Sequence, residues 1–160
     1  MDNMKKRFGS ALSVLMIMAA FVLVSTACSS SKADDEIISK SALPQSAQKV
    51  LDTYFSGEKI SRVVRDSSSS GRVEYEVDFV SGRDIEFNSK GAWKSIDCKG
   101  SKVPAGLVPQ AIRNYVANNA PGLYIVTIDR DRQGYEIELN NGVEMVFDSK
   151  GVYRYTERDD

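Results

Sequence analysis

The sequence predicts an α+β fold built as a tandem repeat of two units, each a helix followed by a four-stranded antiparallel sheet. The segment 75–93 (YEVDFVSGRDIEFNSKGAW) recurs as the segment 135–153 (YEIELNNGVEMVFDSKGVY). Recurrence at a fixed spacing indicates a duplicated supersecondary unit. Apolar and acidic residues alternate within both segments, which is typical of strands with one buried face. We assign residues 41–102 to the first unit and 103–160 to the second, and expect 41–160 to form one continuous domain.

Residues 1–27 have the features of a signal peptide. A basic cluster at 5–7 precedes an apolar run from 11 to 24, which is shorter than a membrane-spanning helix requires. We therefore expect this segment to be removed from the exported protein.

The segment that follows the apolar run favours a lipid anchor. Residues 23–28 (LVSTAC) resemble a bacterial lipobox, in which the cysteine, here Cys28, carries the lipid. Ser25 stands where Leu or Val is usual, and Ser25 with Ala27 also fits cleavage by ordinary signal peptidase without lipidation. A serine-rich and then charged stretch follows, so we expect residues 28–40 to be a flexible tether.

Composition excludes several classes of function. The chain has 22 acidic residues, 21 basic residues and no histidine. Its mildly acidic balance argues against nucleic-acid binding, and the lack of histidine excludes histidine-based acid–base catalysis and zinc–histidine sites. No nucleophile elbow, P-loop or dinucleotide motif is present. We expect no enzyme and no cofactor; the residual acid–base pair, Glu76 with Glu86, would lie on an open sheet without desolvation to separate the two pKa values.

Each of the two units begins with a stripe of apolar residues at helical spacing. Apolar residues recur at helical spacing from Leu43 to Phe55 and from Val108 to Val116, with a proline near the start of each stripe. The first strand of each unit should follow its helix, at residues 60–66 and 125–131.

Turn chemistry predicts the register of the strands. A three-residue loop at 80–82, with Gly82 in the left-handed conformation, pairs Tyr75 with Phe87. A type I turn that opens at Asn88 then places Phe87 opposite Trp93. The second copy has the same pattern, so one face of each sheet is apolar and should be buried by its helix. Cys98 is expected to be a small buried residue rather than a reactive thiol.

The opposite face is predicted to be acidic. In this register Glu76 lies opposite Glu86, Asp78 opposite Asp84, and Glu138 opposite Glu144, although like charges across a strand pair are unfavourable. One interpretation is a solvated face whose charges are partly neutralised by nearby lysine and arginine side chains, with Lys94 beside Glu86 and Arg154 beside Val146. The other is a platform for a basic partner surface or a cation. The candidate binding residues are Glu76, Asp78, Asp84, Glu86, Lys94, Glu136, Glu138, Glu144 and Arg154.

The residues from Leu43 to about Tyr155 resemble the PepSY-like, beta-lactamase-inhibitor-like family. The resemblance is carried by the doubled pattern of a helix, Tyr-x-(Val/Ile)-x-(Phe/Leu), a loop glycine, (Ile/Met)-x-Phe-(Asn/Asp)-Ser-Lys-Gly and a terminal aromatic residue. It implies secreted or lipid-anchored proteins with two helix-plus-sheet units, similar in fold to beta-lactamase inhibitory protein, whose sheet forms a binding face. Inhibition itself is not implied, because fold does not determine function.

We therefore expect a non-enzymatic lipoprotein of the cell envelope that acts as a protein-binding or inhibitor-like module through its acidic sheet face. Its partner would be an envelope or secreted protein, with membrane contact only through the N-terminal lipid and no nucleic acid. The alternative is an envelope protein that binds a cation or small ligand. Calcium takes clustered carboxylate oxygens, although carboxylates on a strand face point in parallel rather than around a centre.

Overall fold

A computed structural model describes residues 35–67 and 71–157. Within these residues, nine antiparallel strands form one sheet in chain order, and two α-helices accompany them. The helices are α1 (Gln45–Tyr54) and α2 (Gln110–Asn119), and short 3₁₀ turns lie at Lys40–Ala42 and Ala105–Leu107. The strands are β1 (Glu36–Ile37), β2 (Ile60–Ser67), β3 (Val73–Phe79), β4 (Asp84–Asn88), β5 (Trp93–Asp97), β6 (Ile125–Arg130), β7 (Gly134–Leu139), β8 (Glu144–Asp148) and β9 (Tyr153–Glu157).

The α+β class is confirmed, and the strands belong to a single open sheet. The sequence predicted two four-stranded sheets and left open whether they join. They join because β5 pairs with β6, with Ile96 opposite Ile128. This pairing satisfies backbone groups that would otherwise be exposed at two sheet edges.

The predicted hairpin registers are confirmed. Tyr75 pairs with Phe87 and Val77 with Ile85, and Gly82 has a φ of 88°. Phe87 lies opposite Trp93 as expected. The corresponding pairs of the second half, Tyr135 with Phe147 and Phe147 with Tyr153, are also present.

An apolar row crosses the middle of the sheet and forms the floor of the core. Successive strand pairings connect its members, all of them buried: Val63, Val77, Ile85, Ile96, Ile128, Ile137 and Met145. Both helices cover this side of the sheet, and their buried residues belong to the same core. The predicted burial of the aromatic side chains is confirmed for Trp93, Phe87 and Phe147.

The folded part begins earlier than the sequence suggested. Glu36 and Ile37, which were assigned to the flexible tether, pair with Arg65 and Val64 of β2. The charged end of the predicted tether is therefore part of the sheet, where it covers the otherwise open edge of β2. The signal peptide and residues 28–34 lie outside the described residues.

Each helix packs against a hairpin turn, and α1 packs against the turn at Gly91. Gly91 has a φ of 74°, and a Cβ placed on it would lie 2.4 Å from Ser46 Oγ and 2.9 Å from the Ala47 backbone nitrogen. Ser46 Oγ also donates a hydrogen bond to the Lys90 carbonyl at 2.6 Å. The turn and the first turn of α1 are therefore in direct backbone contact.

Gly91→Ala should lower the free energy of unfolding by about 2–4 kcal/mol, because it adds a steric clash with α1 to the conformational cost of a positive φ. Gly100→Ala is the matched control, since Gly100 has a φ of 81° and no atom near the added Cβ. It should cost only about 1 kcal/mol. Urea denaturation of the two variants measures the difference. Equal losses would show that α1 is not held against this turn.

Candidate functional site

Two continuous rows of side chains cross the sheet on the face opposite the helices, and we call them the acidic face. Strand pairings define both rows, one residue per strand from β2 to β9. The first row is Arg62, Asp78, Asp84, Asp97, Thr127, Glu138, Glu144 and Glu157. The second row is Val64, Glu76, Glu86, Ser95, Asp129, Glu136, Val146 and Tyr155.

All seven predicted acidic residues lie in these rows. The two predicted cations do not, because a bulge displaces each one from the regular register. Glu86 pairs with Ser95 rather than Lys94, and Val146 pairs with Tyr155 rather than Arg154. The expected positions of Lys94 and Arg154 were therefore wrong by one residue, since the preceding turn and bulge add a residue to the strand.

Both cations nevertheless form ion pairs. Lys94 Nζ lies 2.6 Å from a Glu74 carboxylate oxygen and 3.8 Å from one of Glu86. Arg154 Nη2 lies 2.7 Å from Asp148 Oδ2. The expected partial neutralisation by Lys94 is confirmed, whereas Arg154 pairs with the turn residue Asp148.

Sequence reasoning missed Asp97, Asp129, Glu157 and Lys99. Asp97 and Asp129 join the rows only because β5 pairs with β6, a pairing that the repeat alone could not specify. Glu157 requires the bulge in β9. The alternation of β5 and β6 around Ile96 and Ile128 was the one signal that could have identified the two aspartates.

The half of the acidic face on β2–β5 is charge-paired. Arg62 Nε lies 2.9 Å from Asp78 Oδ2. Lys99 Nζ lies 3.1 Å from Asp84 and 2.5 Å from Asp97. Cations thus accompany the first-row carboxylates of these strands, and the repulsion between facing aspartates is reduced.

The half on β7–β9 contains a group of three glutamates. Carboxylate oxygens of Glu136, Glu144 and Glu157 all lie within 4.8 Å of one another. Desolvation, followed by repulsion from Glu157 and then Glu144, raises the pKa of Glu136 from 4.5 to about 7. We call these three residues the glutamate cluster.

Partial burial also affects the rest of the face. Desolvation is the largest cause that raises the pKa of Glu76, Asp84, Glu86 and Asp129 above their ordinary values. The expectation that an open sheet face gives no desolvation was therefore wrong, because neighbouring side chains on strands about 5 Å apart shield one another from water. Crowded carboxylates of this kind suit the binding of positive charge.

The sulfur of Cys98 offers no nucleophile at this face. Cys98 is 1% exposed, and its burial raises the thiol pKa to about 11. The expectation of a small buried residue is confirmed. The second cysteine, the predicted lipid-bearing Cys28, lies outside the described residues, and none of the described helices has the length and apolarity needed to cross a membrane.

A family model described as "Putative beta-lactamase-inhibitor-like, PepSY-like" matches residues 73–154. The chain belongs to this family. The matched residues include the acidic rows of β3–β8, and the expected membership of the PepSY-like family is confirmed.

Solved structures agree with this assignment. A periplasmic protein of the DUF2874 family from Bacteroides vulgatus ATCC 8482 is 36% identical, with a TM-score of 0.75 over 78% of this chain and 98% of its own. A second B. vulgatus protein, described as periplasmic and of unknown function, is 35% identical with a TM-score of 0.74 over 78% of this chain and 100% of its own.

A third structure adds a description of regulation. It is described as a calcium-regulated periplasmic protein from Bacteroides thetaiotaomicron, and it is 35% identical with a TM-score of 0.74 over 78% of this chain and 97% of its own. The comparison with curated proteins finds no match. These three solved structures are thus all described as periplasmic proteins.

Stability should fall as pH rises through the titration of Glu136. The unfolded carboxyl titrates near 4.5 and the folded one near 7, so the folded state binds the proton more tightly between these values. The free energy of unfolding should decrease across this window and level off above it. Glu136→Gln should be more stable than the wild type at pH 8 by about 1–2 kcal/mol, after allowance for solvent screening, and equal to it at pH 4.

Denaturant titrations at the two pH values test this expectation. Glu157→Gln should reproduce part of the gain at pH 8, because it removes the nearest repulsion. Asp35→Asn, at an exposed position before β1, controls for the loss of one negative charge elsewhere. A stability difference for Glu136→Gln that is the same at pH 4 and pH 8 would contradict the assignment.

Proposed function

We propose that this protein is a non-enzymatic binding module of the cell envelope, whose acidic face binds a basic surface on an envelope or secreted protein. The observation that carries the proposal is the pair of unbroken carboxylate-rich rows on a sheet face that no helix of the described residues covers. The description of three similar solved structures as periplasmic proteins supports the location. The lipobox-like segment ending at Cys28 supports a lipid anchor and a tether.

The electrostatics favour a protein partner of opposite charge. Carboxylates spread over a flat face create a long-range negative potential that accelerates association with a basic surface and disfavours acidic ones. Partial desolvation strengthens each charge interaction relative to one in bulk water. The family's inhibitor-like description is consistent with recognition by a sheet face, and an inhibitory role is included in the proposal.

The proposal includes a tandem origin of the two halves. Each α-helix is followed by four strands, α1 by β2–β5 and α2 by β6–β9. The pairing of Tyr75 with Phe87 corresponds to that of Tyr135 with Phe147. Two related halves would double the width of the binding face.

Charge reversal on the acidic face should weaken partner binding. A tagged domain that begins after Cys28 is used to capture envelope proteins, and the captured protein is purified for titration. Glu76→Lys and Glu138→Lys should each reduce affinity about tenfold or more and lower the association rate. Asp52→Lys makes the same charge change on α1 and should leave the affinity unchanged.

The salt dependence supplies a second readout. The association rate should fall steeply between about 50 and 300 mM salt if the acidic face steers the encounter. A partner whose binding is insensitive to both reversals would place the interaction elsewhere on the molecule and refute the acidic face as the binding surface.

Cation binding at the glutamate cluster is a second candidate function. Two oxygens bound to one Ca²⁺ at 2.3–2.6 Å can be up to roughly 5 Å apart, and the cluster oxygens lie within 4.8 Å of one another. An ion there would neutralise the repulsion that raises the pKa of Glu136. The calcium-regulated description of the B. thetaiotaomicron relative also supports this candidate.

Calcium should raise the melting temperature if the cluster binds it. With a Kd in the range of about 0.1–1 mM, which is typical of extracellular calcium modules, 5 mM CaCl₂ should produce a shift of a few degrees at pH 7.5. Glu144→Gln and Glu157→Gln should abolish the shift, and Asp78→Asn on the charge-paired half should retain it. An unchanged melting temperature of the wild type would remove this candidate and leave the protein-binding proposal intact.

A further inference from the structure

A cavity of about 160 Å³ lies on the helix side of the molecule, away from the acidic face. It is bounded by α2, by the segment that leads into α2, and by the residues that open β6. The apolar part of its wall is formed by Val103, Val108, Val116, Leu123 and Ile125. Exposed Lys102, Ala105 and Ala117 also line it, so the cavity opens to solvent.

The charge of the cavity wall is positive. Lys102 and Arg113 both line it, and none of the described residues along the wall is acidic. This contrasts with the opposite side of the molecule, where carboxylates dominate. The cavity therefore selects against cations and favours an anion.

Arg113 has an unused hydrogen-bond donor. Its Nη2 donates to Gln110 Oε1, whereas its buried Nε has no hydrogen-bond partner among the described residues. A buried donor without a partner is unfavourable by about 1–3 kcal/mol, and such groups are rare in folded proteins. A carboxylate is the acceptor that guanidinium groups bind most strongly in proteins.

The volume limits the size of the ligand. An apolar cavity of about 150 Å³ admits a molecule the size of benzene. A compact apolar body of about six to eight carbon atoms would fill the space beside the valine, leucine and isoleucine side chains. Longer acyl chains would extend out of the cavity into solvent.

We propose that this cavity binds a small monocarboxylate with a compact apolar body, whose carboxylate forms an ion pair with the Arg113 guanidinium and lies near Lys102. The site is independent of the acidic face and of the function proposed for it. It requires no covalent or redox step, because the ligand is bound and released unchanged.

Titration with phenylacetate, followed by ¹H–¹⁵N NMR, tests the proposal on the domain that begins after Cys28. Shifts should saturate with a Kd on the order of 0.1–1 mM, as expected for a ligand of this size. The perturbed amides should lie in segments 102–108 and 110–117 and at 123–125. Phenylacetamide has the same shape without the charge and should bind at least tenfold more weakly.

Two variants and a matched control connect the binding to the cavity. Arg113→Gln should weaken phenylacetate binding at least tenfold without lowering the melting temperature, whereas Arg132→Gln, at an exposed turn, should have no effect. Ala117→Leu should weaken binding by filling the cavity from its exposed side. Equal binding of the acid and the amide, perturbations confined to the acidic face, or no saturation below 10 mM would each overturn the proposal.

Discussion

The alternation of core-facing apolar residues with outward-facing, mostly polar residues across one continuous sheet is the constraint on which the rest of the structure depends. Because the side-chain period of a strand is two, the row that runs from Val63 to Met145 can be buried only if the neighbouring rows point away from the helices. A slip of one residue at any strand pair would place carboxylates such as Glu76 under α1. The burial that holds the helices in place therefore also assembles the acidic face, at the cost of repulsion between facing carboxylates.

The acidic face accommodates that repulsion differently in its two halves. On β2–β5, ion pairs with Arg62, Lys94 and Lys99 reduce the repulsion at Asp78, Asp84, Glu86 and Asp97, and the half keeps a net negative charge. On β7–β9 the glutamate cluster accommodates it by a raised pKa instead, and Glu136 exchanges its proton near neutral pH. At Glu136 a cation from outside can bind only when that proton is released. A calcium ion and a basic protein surface would both compete with protons there, and would bind more weakly as the pH falls below 7.

Sequence reasoning reached the helices, the hairpin registers and the seven acidic residues because each rests on local physics: helical spacing, turn chemistry and alternation. It failed where non-local pairing decides the outcome. The joining of β5 to β6, which brings Asp97 and Asp129 into the rows, links strands separated by the whole of α2. The bulges that displace Lys94 and Arg154 depend on how each turn meets its strand. The cavity beside Arg113 depends on how α2 meets the start of β6, and no sequence pattern records that packing.

The two sides of the molecule differ in charge because one is an uncovered sheet face and the other is covered by helices. The uncovered side of the sheet is lined by carboxylates at strand spacing, too close together for all of them to be ionised without cations nearby. The helix side is covered by α1 and α2, and the cavity beside α2 has Lys102 and Arg113 at its wall, with an unsatisfied donor on Arg113. A basic partner on the sheet and a carboxylate beneath α2 would therefore select opposite charges through separate surfaces. The two surfaces share β6, which carries Ile125 at the cavity wall and Asp129 in the acidic face. Binding at one side can therefore affect the other by stiffening the packing of α2 against this strand.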